Sequence, residues 1–206
     1  MRSVADTASG ERIPRSVKFL VSGGLGAGKT SFVGSVSEIT PLRTEERLSE
    51  TGEAIDDLSH IEDKRTTTVA LDFGRITLAS DLVLYLFGTP GQSRFWYMWN
   101  DLAVGALGAV VLIDTRRFDV SFAAIDFFEH RGIPFIIAVN RFPDSEPYTA
   151  EEIRTALELD PEIPIMTDCS ALEFESCREA LMVLQEHVMR RVAAEAALVD
   201  AVGQRE

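Results

Sequence analysis

Six apolar runs of strand length recur along the chain, at residues 17–22, 68–78, 82–87, 109–114, 133–140 and 163–169. Helical periodicity separates several of them, at 29–37, 121–130, 150–157 and, at the end of the chain, about 176–198. The stretches VLYLF, AVVLI and PFIIAVN are apolar on both faces. Central strands of a parallel sheet covered by helices read this way, because each face must be buried. The pattern predicts a single α/β domain with a mostly parallel six-stranded sheet and helices on both faces, spanning 16–198. Polar tails at 1–15 and 199–206 are expected to be flexible.

Two segments break the alternation. Residues 38–67 are polar and charged, and residues 88–105 are aromatic-rich. Long connections in compact domains are commonly functional. The terminal helix carries Leu181, Leu184, Val188 and Val192 beside Glu186, Arg190 and Arg191, a one-sided stripe that covers a sheet.

Composition narrows the function. In 206 residues, 33 Asp and Glu stand against 20 Lys and Arg, for a net charge of −13. Such a surface repels nucleic-acid phosphates and anionic lipid alike. The two cysteines, Cys169 and Cys177, have no metal or disulfide spacing, and His60, His130 and His187 stand apart from one another. No apolar run reaches the ~18 residues of a membrane span, and the N-terminal sequence has no secretory signature. Lipidation motifs are lacking, so no direct membrane anchor is expected. The expected compartment is the cytoplasm, with any place at a membrane reached through partners.

The strongest chemical signal follows the first strand, where Gly23-Gly24-Leu25-Gly26-Ala27-Gly28-Lys29-Thr30 fits the phosphate-loop pattern GxxxxGK[ST]. Strand, glycine-rich turn and helix occur in the order the chemistry needs. A tight turn aims successive backbone N–H groups at a phosphate, and the following helix adds its positive end. Lys29 is expected to neutralise β and γ oxygens, and the Thr30 hydroxyl to bind Mg²⁺, with Ser31 next to it on the helix.

Further along, Thr68-Val69-Ala70-Leu71-Asp72-Phe73 and Leu86-Phe87-Gly88-Thr89-Pro90-Gly91-Gln92-Ser93-Arg94-Phe95 resemble the switch I and switch II elements of Ras-like small GTPases. With the phosphate loop, Asn140 and Cys169-Ser170-Ala171, the resemblance runs in order from about residue 16 onward. Within that superfamily the sequences GGLGAGKTSFVG, TTTVALDFGRI, LYLFGTPGQSRFW and VVLIDTRR are most similar to conservon-type bacterial GTPases, relatives of the gliding-motility Mgl-type proteins. The resemblance implies GTP and GDP as ligands, with Mg²⁺ held by Thr30 and Thr68 and the γ-phosphate met by the Gly91 N–H. Gln92 would orient the attacking water. The bases would meet Asn140, Arg141, Ser170 and Ala171. It also implies a roadblock/LC7-type regulatory partner and a linked sensor kinase.

The chain departs from the superfamily in two places. The switch II aspartate is Gly88, and Asp114, Asp56, Asp57 and Asp63 are the acids considered as substitutes. In the guanine motif Asn140-Arg141-Phe142-Pro143-Asp144, proline occupies the place of the base-reading aspartate, and Asp144 comes one residue late. Losing a charged hydrogen bond of about 1.5–3 kcal/mol costs tenfold or more in base selectivity. Asp144 either reaches the base through a shifted loop or merely caps that loop. Arg65, Arg94, Arg116 and Arg117 are candidates for an arginine acting in cis, and Leu25 is bulky enough to obstruct one from a partner. Phe95-Trp96-Tyr97-Met98-Trp99 is either a docking surface or a packed cluster. Two functions follow: a slow GTP-hydrolysing signalling switch, or a non-catalytic nucleotide-binding scaffold. A P-loop kinase fits less well, because no arginine-rich lid is evident.

Overall fold

The computed structural model describes residues 15–48, 67–92 and 95–203. Its seven strands are β1 (Arg15–Gly23), β2 (Leu42–Leu48), β3 (Thr67–Ala79), β4 (Leu82–Gly88), β5 (Gly108–Ile113), β6 (Phe135–Asn140) and β7 (Ile165–Cys169). Five α-helices accompany them among the described residues: α1 (Lys29–Val36), α2 (Tyr97–Ala103), α3 (Phe122–Arg131), α4 (Ala150–Ala156) and α5 (Phe174–Gly203). The strands form one sheet in the order β2-β3-β4-β1-β5-β6-β7. β1 pairs in parallel with β4 and β5, and β6 with β5 and β7, whereas β3 runs antiparallel to β2 and β4.

All six expected strands form, and the α/β class with its mostly parallel sheet stands. The seventh strand, β2, lies inside the polar segment 38–67. Its sequence LRTEERL is charged, as an edge strand that must discourage further pairing is charged, and so it lacks the apolar signature of a central strand. α2 forms within the aromatic segment, and α5 continues through Gly203, beyond the helix expected to end near residue 198. Residues 1–14 lie outside the described residues, as do His60, Asp56, Asp57, Asp63, Arg65, Ser93 and Arg94.

Alternation in β1 supplies a core on each side of the sheet. Phe19 and Val21 pack with Phe32 and Val33 of α1 and with Leu181, Leu184 and Val188 of α5. Leu20 faces the other layer, with Trp99 of α2, Ile125 and Phe128 of α3, and Ile153 of α4. Burial of side chains this size contributes about 1.5–3 kcal/mol each. The helices therefore fix the strands, and β1, β5, β6 and β7 deliver their last residues, Gly23, Ile113, Asn140 and Cys169, to one edge. Ligands of open α/β sheets bind at that edge. Among the described residues no helix is long and apolar enough to cross a membrane.

Candidate functional site: a phosphate loop facing a relocated carboxylate

Residues 23–30 form the turn from β1 into α1. Gly28 caps α1 at φ 103°, a left-handed backbone that costs glycine little, and a Cβ there would stand 2.4 Å from Asn140 Nδ2. Lys29 is buried and folds back over the loop, donating to Gly23 O at 2.8 Å and Gly24 O at 2.6 Å. Burial pushes its pKa down to about 8, with the charge of Asp72 opposing the shift.

Thr30 Oγ1 donates to Asp72 Oδ2 at 2.6 Å. Asp72 is buried in β3, and the sheet register sets it directly opposite Gly88 of β4. A Cβ on Gly88 would lie 3.0 Å from Asp72 Cβ and 3.1 Å from its Oδ2. A carboxylate from the neighbouring strand thus stands beside Gly88, where glycine leaves it room. Asp114, an expected substitute, is engaged with Arg116: its Oδ1 and Oδ2 accept from Arg116 Nε and Nη2, each at 2.9 Å. The lone acid in the apolar run TTVALDF was the available signal for Asp72, but its relation to Gly88 depends on register.

A cavity of about 320 Å³ collects Leu25, Gly26, Gly28, Lys29, Thr30 and Ser31 from the loop and helix, Asp72 from β3, and Gly91 and Gln92 from the segment after β4. A Cβ on Gly91 would stand 2.7 Å from Lys29 Nζ and 2.8 Å from the Leu25 nitrogen, so this segment lies directly on the phosphate loop. Thr89, not singled out from the sequence, is buried with its hydroxyl 2.8 Å from that of Ser22, tying the segment to β1. Thr68 lies in β3, in register with Arg47 of β2.

The base-side residues meet the phosphate loop through Asn140. Its Nδ2 donates to Ala27 O at 3.0 Å, and its Oδ1 accepts from Ala171 N at 3.0 Å. Ser170 N donates to Ser176 Oγ at 2.8 Å. Arg141 is half exposed and pairs with Asp168 at 3.3 Å and Glu173 at 3.7 Å. Asp144 is exposed within a turn in which Ser145 N donates to Phe142 O. Its charge acts on Arg116, whose pKa is raised first by the hydrogen bond to Asp114.

The aromatic segment divides between the two roles. Phe95 and Trp99 are buried, and Trp99 Nε1 donates to Pro90 O at 3.0 Å, whereas Trp96 is 40% and Tyr97 59% exposed. Cys169 and Cys177 are buried free thiols. Among the described residues no three or more His, Cys, Asp and Glu side chains gather as a metal cluster.

A phosphate loop between the first strand and helix of this sheet defines a P-loop protein of the Ras-like GTPase fold. The chain is similar to the Arl6 (BBS3) small GTPase from Trypanosoma brucei, solved with the nucleotide analogue GppNp, at 15% identity over 85% of this chain and 99% of that one, with a TM-score of 0.58. It is similar also to the G domain of the T. maritima FeoB iron transporter, at 16% identity over 85% and 98% of the two chains, with a TM-score of 0.52. Residues 21–191 match the family described as "conserved hypothetical ATP binding protein", and the chain belongs to it. An uncharacterized protein of Methanocaldococcus jannaschii, MJ1339, is 32% identical over 99 residues. These make up 47% of this chain and 63% of that protein, so the chain spans less than two thirds of the curated relative.

Proposed function

We propose that the chain is a small GTPase of the conservon type, which binds GTP and GDP with Mg²⁺ in the cytoplasm, hydrolyses GTP slowly and signals through its switch loops. The observation that carries this reading is the contact of Gly91 with Lys29 and Leu25, with Gln92 in the same cavity. A γ-phosphate entering there must push against the segment after β4, so its presence or loss moves that segment. Nucleotide state becomes a change of surface by this route.

The chemistry asked of the chain is positioning and charge. The backbone N–H groups of residues 25–30 surround the β-phosphate, and Lys29 exchanges its two carbonyl acceptors for phosphate oxygens. Gln92 orients the attacking water. The donor set fits Mg²⁺, a hard cation that prefers oxygen ligands: the Thr30 hydroxyl and the Asp72 carboxylate are already hydrogen-bonded to each other. Bound there, the ion neutralises charge on the phosphates. Thr30 would hold it directly, Asp72 would accept from its water shell, and Thr68 would join on closure of switch I. Exposed Trp96 and Tyr97 are the side chains a roadblock/LC7-type partner would read, itself linked to a sensor kinase.

The test is single-turnover GTP hydrolysis by wild type and Gln92→Leu. A wild-type rate above background that falls at least tenfold in the variant supports the reading, and equal background rates overturn it. A second reading, a nucleotide-holding scaffold without turnover, is favoured by Asp144 lying exposed within its turn. Calorimetry with GDP, GTP and ATP addresses the base. Preference for guanine supports the GTPase, and preference for adenine would agree with the family's description instead.

A further inference from the structure

Between β5 and α3, residues 114–121 run across the site and touch both of its halves. The Asp114 side chain is fully buried, and besides the two bonds to the Arg116 guanidinium its Oδ1 accepts from the Arg116 backbone N–H at 3.1 Å. Arg117 Nε stands 3.7 Å from its Oδ2. From this anchor the two arginines diverge. Arg116 lies over the Phe142 ring, 4.0 Å from its centroid, in the loop that carries Asp144. Arg117 Nη2 donates to Leu25 O and lies 3.0 Å from where Gly26 would carry a Cβ.

The rest of the segment repeats this division. Phe118 meets the edge of Tyr148 at 6.1 Å, on the base side. Val120 Cγ2 is 2.3 Å from where Gly24 would carry a Cβ, so the segment is seated on the phosphate loop as closely as glycine permits. One buried acid therefore fixes two cations, each held against a different ligand-binding loop.

We propose that Asp114, Arg116 and Arg117 form a fork that sets nucleotide specificity, Arg116 positioning the base loop and Arg117 the phosphate loop at Leu25 and Gly26. All three are positioning residues. The proposal rests on the nucleotide-binding reading above but not on turnover, nor on which purine is preferred. A guanidinium satisfies each arm through several directed donors, whereas a lysine ammonium at the same place offers a single point of contact.

The experiment measures dissociation constants for GDP, ADP and a non-hydrolysable GTP analogue with wild type, Arg116→Ala, Arg116→Lys, Arg117→Ala, Arg117→Lys and Asp114→Asn. Arg116→Ala is expected to shrink the ratio between GDP and ADP about tenfold while the ratio between triphosphate and diphosphate holds within twofold. Arg117→Ala is expected to do the reverse, the lysine variants to restore neither, and Asp114→Asn to disturb both. Unchanged ratios in every variant, or an equal fall in all affinities, would overturn the fork.

Should wild type bind no nucleotide, the reading beneath fails, and the fork is judged by amide hydrogen exchange instead. Faster exchange confined to residues 25–28 in Arg117→Ala and to residues 141–145 in Arg116→Ala upholds the positioning of the two loops and overturns only the role in specificity, and uniform or absent changes reject both.

Discussion

Asp72 of β3 and Gly88 of β4 are register partners on antiparallel strands, and the acid occupies the space that a side chain at Gly88 would need. Thr30 on α1 reaches this carboxylate from the phosphate loop at 2.6 Å. A carboxylate thus stands beside Thr30, carried by β3 and not by position 88 of β4. A shift in either strand or in the register between them would move that charge relative to Thr30.

Replacing Asp72 with Asn keeps the shape and removes the charge. Retention of GDP is expected to need about tenfold more Mg²⁺, measured as release of a fluorescent GDP across a Mg²⁺ titration. Gly88→Asp alone sets a Cβ 3.1 Å from Asp72 Oδ2 and brings a second carboxylate beside the first, and is expected to cost roughly 1–3 kcal/mol in urea unfolding. The double variant Asp72→Asn, Gly88→Asp should regain part of that loss. Failure to regain any would mean that the two positions are independent.

Lys29 gives opposite pH trends for stability and binding. Its folded pKa of about 8 lies below the ordinary 10.5, so the folded chain disfavours the charged form. That penalty is complete below pH 8 and is relieved as pH rises from 8 to 10.5, so its contribution makes the ligand-free protein more stable over this window. Phosphate binding needs the charged form and weakens over the same window. Melting temperature and GDP affinity across it, each referred to Lys29→Met, should diverge. Parallel trends would show that Lys29 governs neither.

Both tryptophans of the chain, Trp96 and Trp99, follow closely on Gly91 and Gln92, the segment proposed to move with the nucleotide. Exchange of GDP for a GTP analogue is therefore expected to change intrinsic fluorescence. Trp99→Phe removes the hydrogen bond to Pro90 O and should abolish most of the change, leaving the exposed Trp96 signal. An unaltered signal in Trp99→Phe would remove Trp99 as the reporter.

Asn140→Ala breaks both buried hydrogen bonds that join Ala27 to Ala171 and leaves a buried N–H and a buried carbonyl unpaired. A loss of about 2–4 kcal/mol in urea unfolding is expected, together with weaker binding of every nucleotide. Thr149→Ala is the matched control. It breaks the capping box of α4 but neither hydrogen bond of Asn140, and should cost about 1 kcal/mol with no effect on binding.

The phosphate loop was legible because its eight residues are contiguous and the chemistry demands their order. The central strands were legible for a related reason: burial on both faces writes itself as an unbroken apolar run, as in β5 and β6. The charged edge strand β2 carries no such run, since its place depends on pairing with β3 rather than on burying two faces. Tertiary structure alone brought Asp72 to Thr30 across 42 positions and Arg117 to Leu25 across 92. It also separated buried Trp99 from exposed Tyr97 within three residues of sequence. Local backbone chemistry thus determined the phosphate loop and the alternating elements. Which acid faces Thr30, and which arginine touches the loop, depended on strand register and on side chains meeting from distant parts of the chain, contacts that no local pattern encodes.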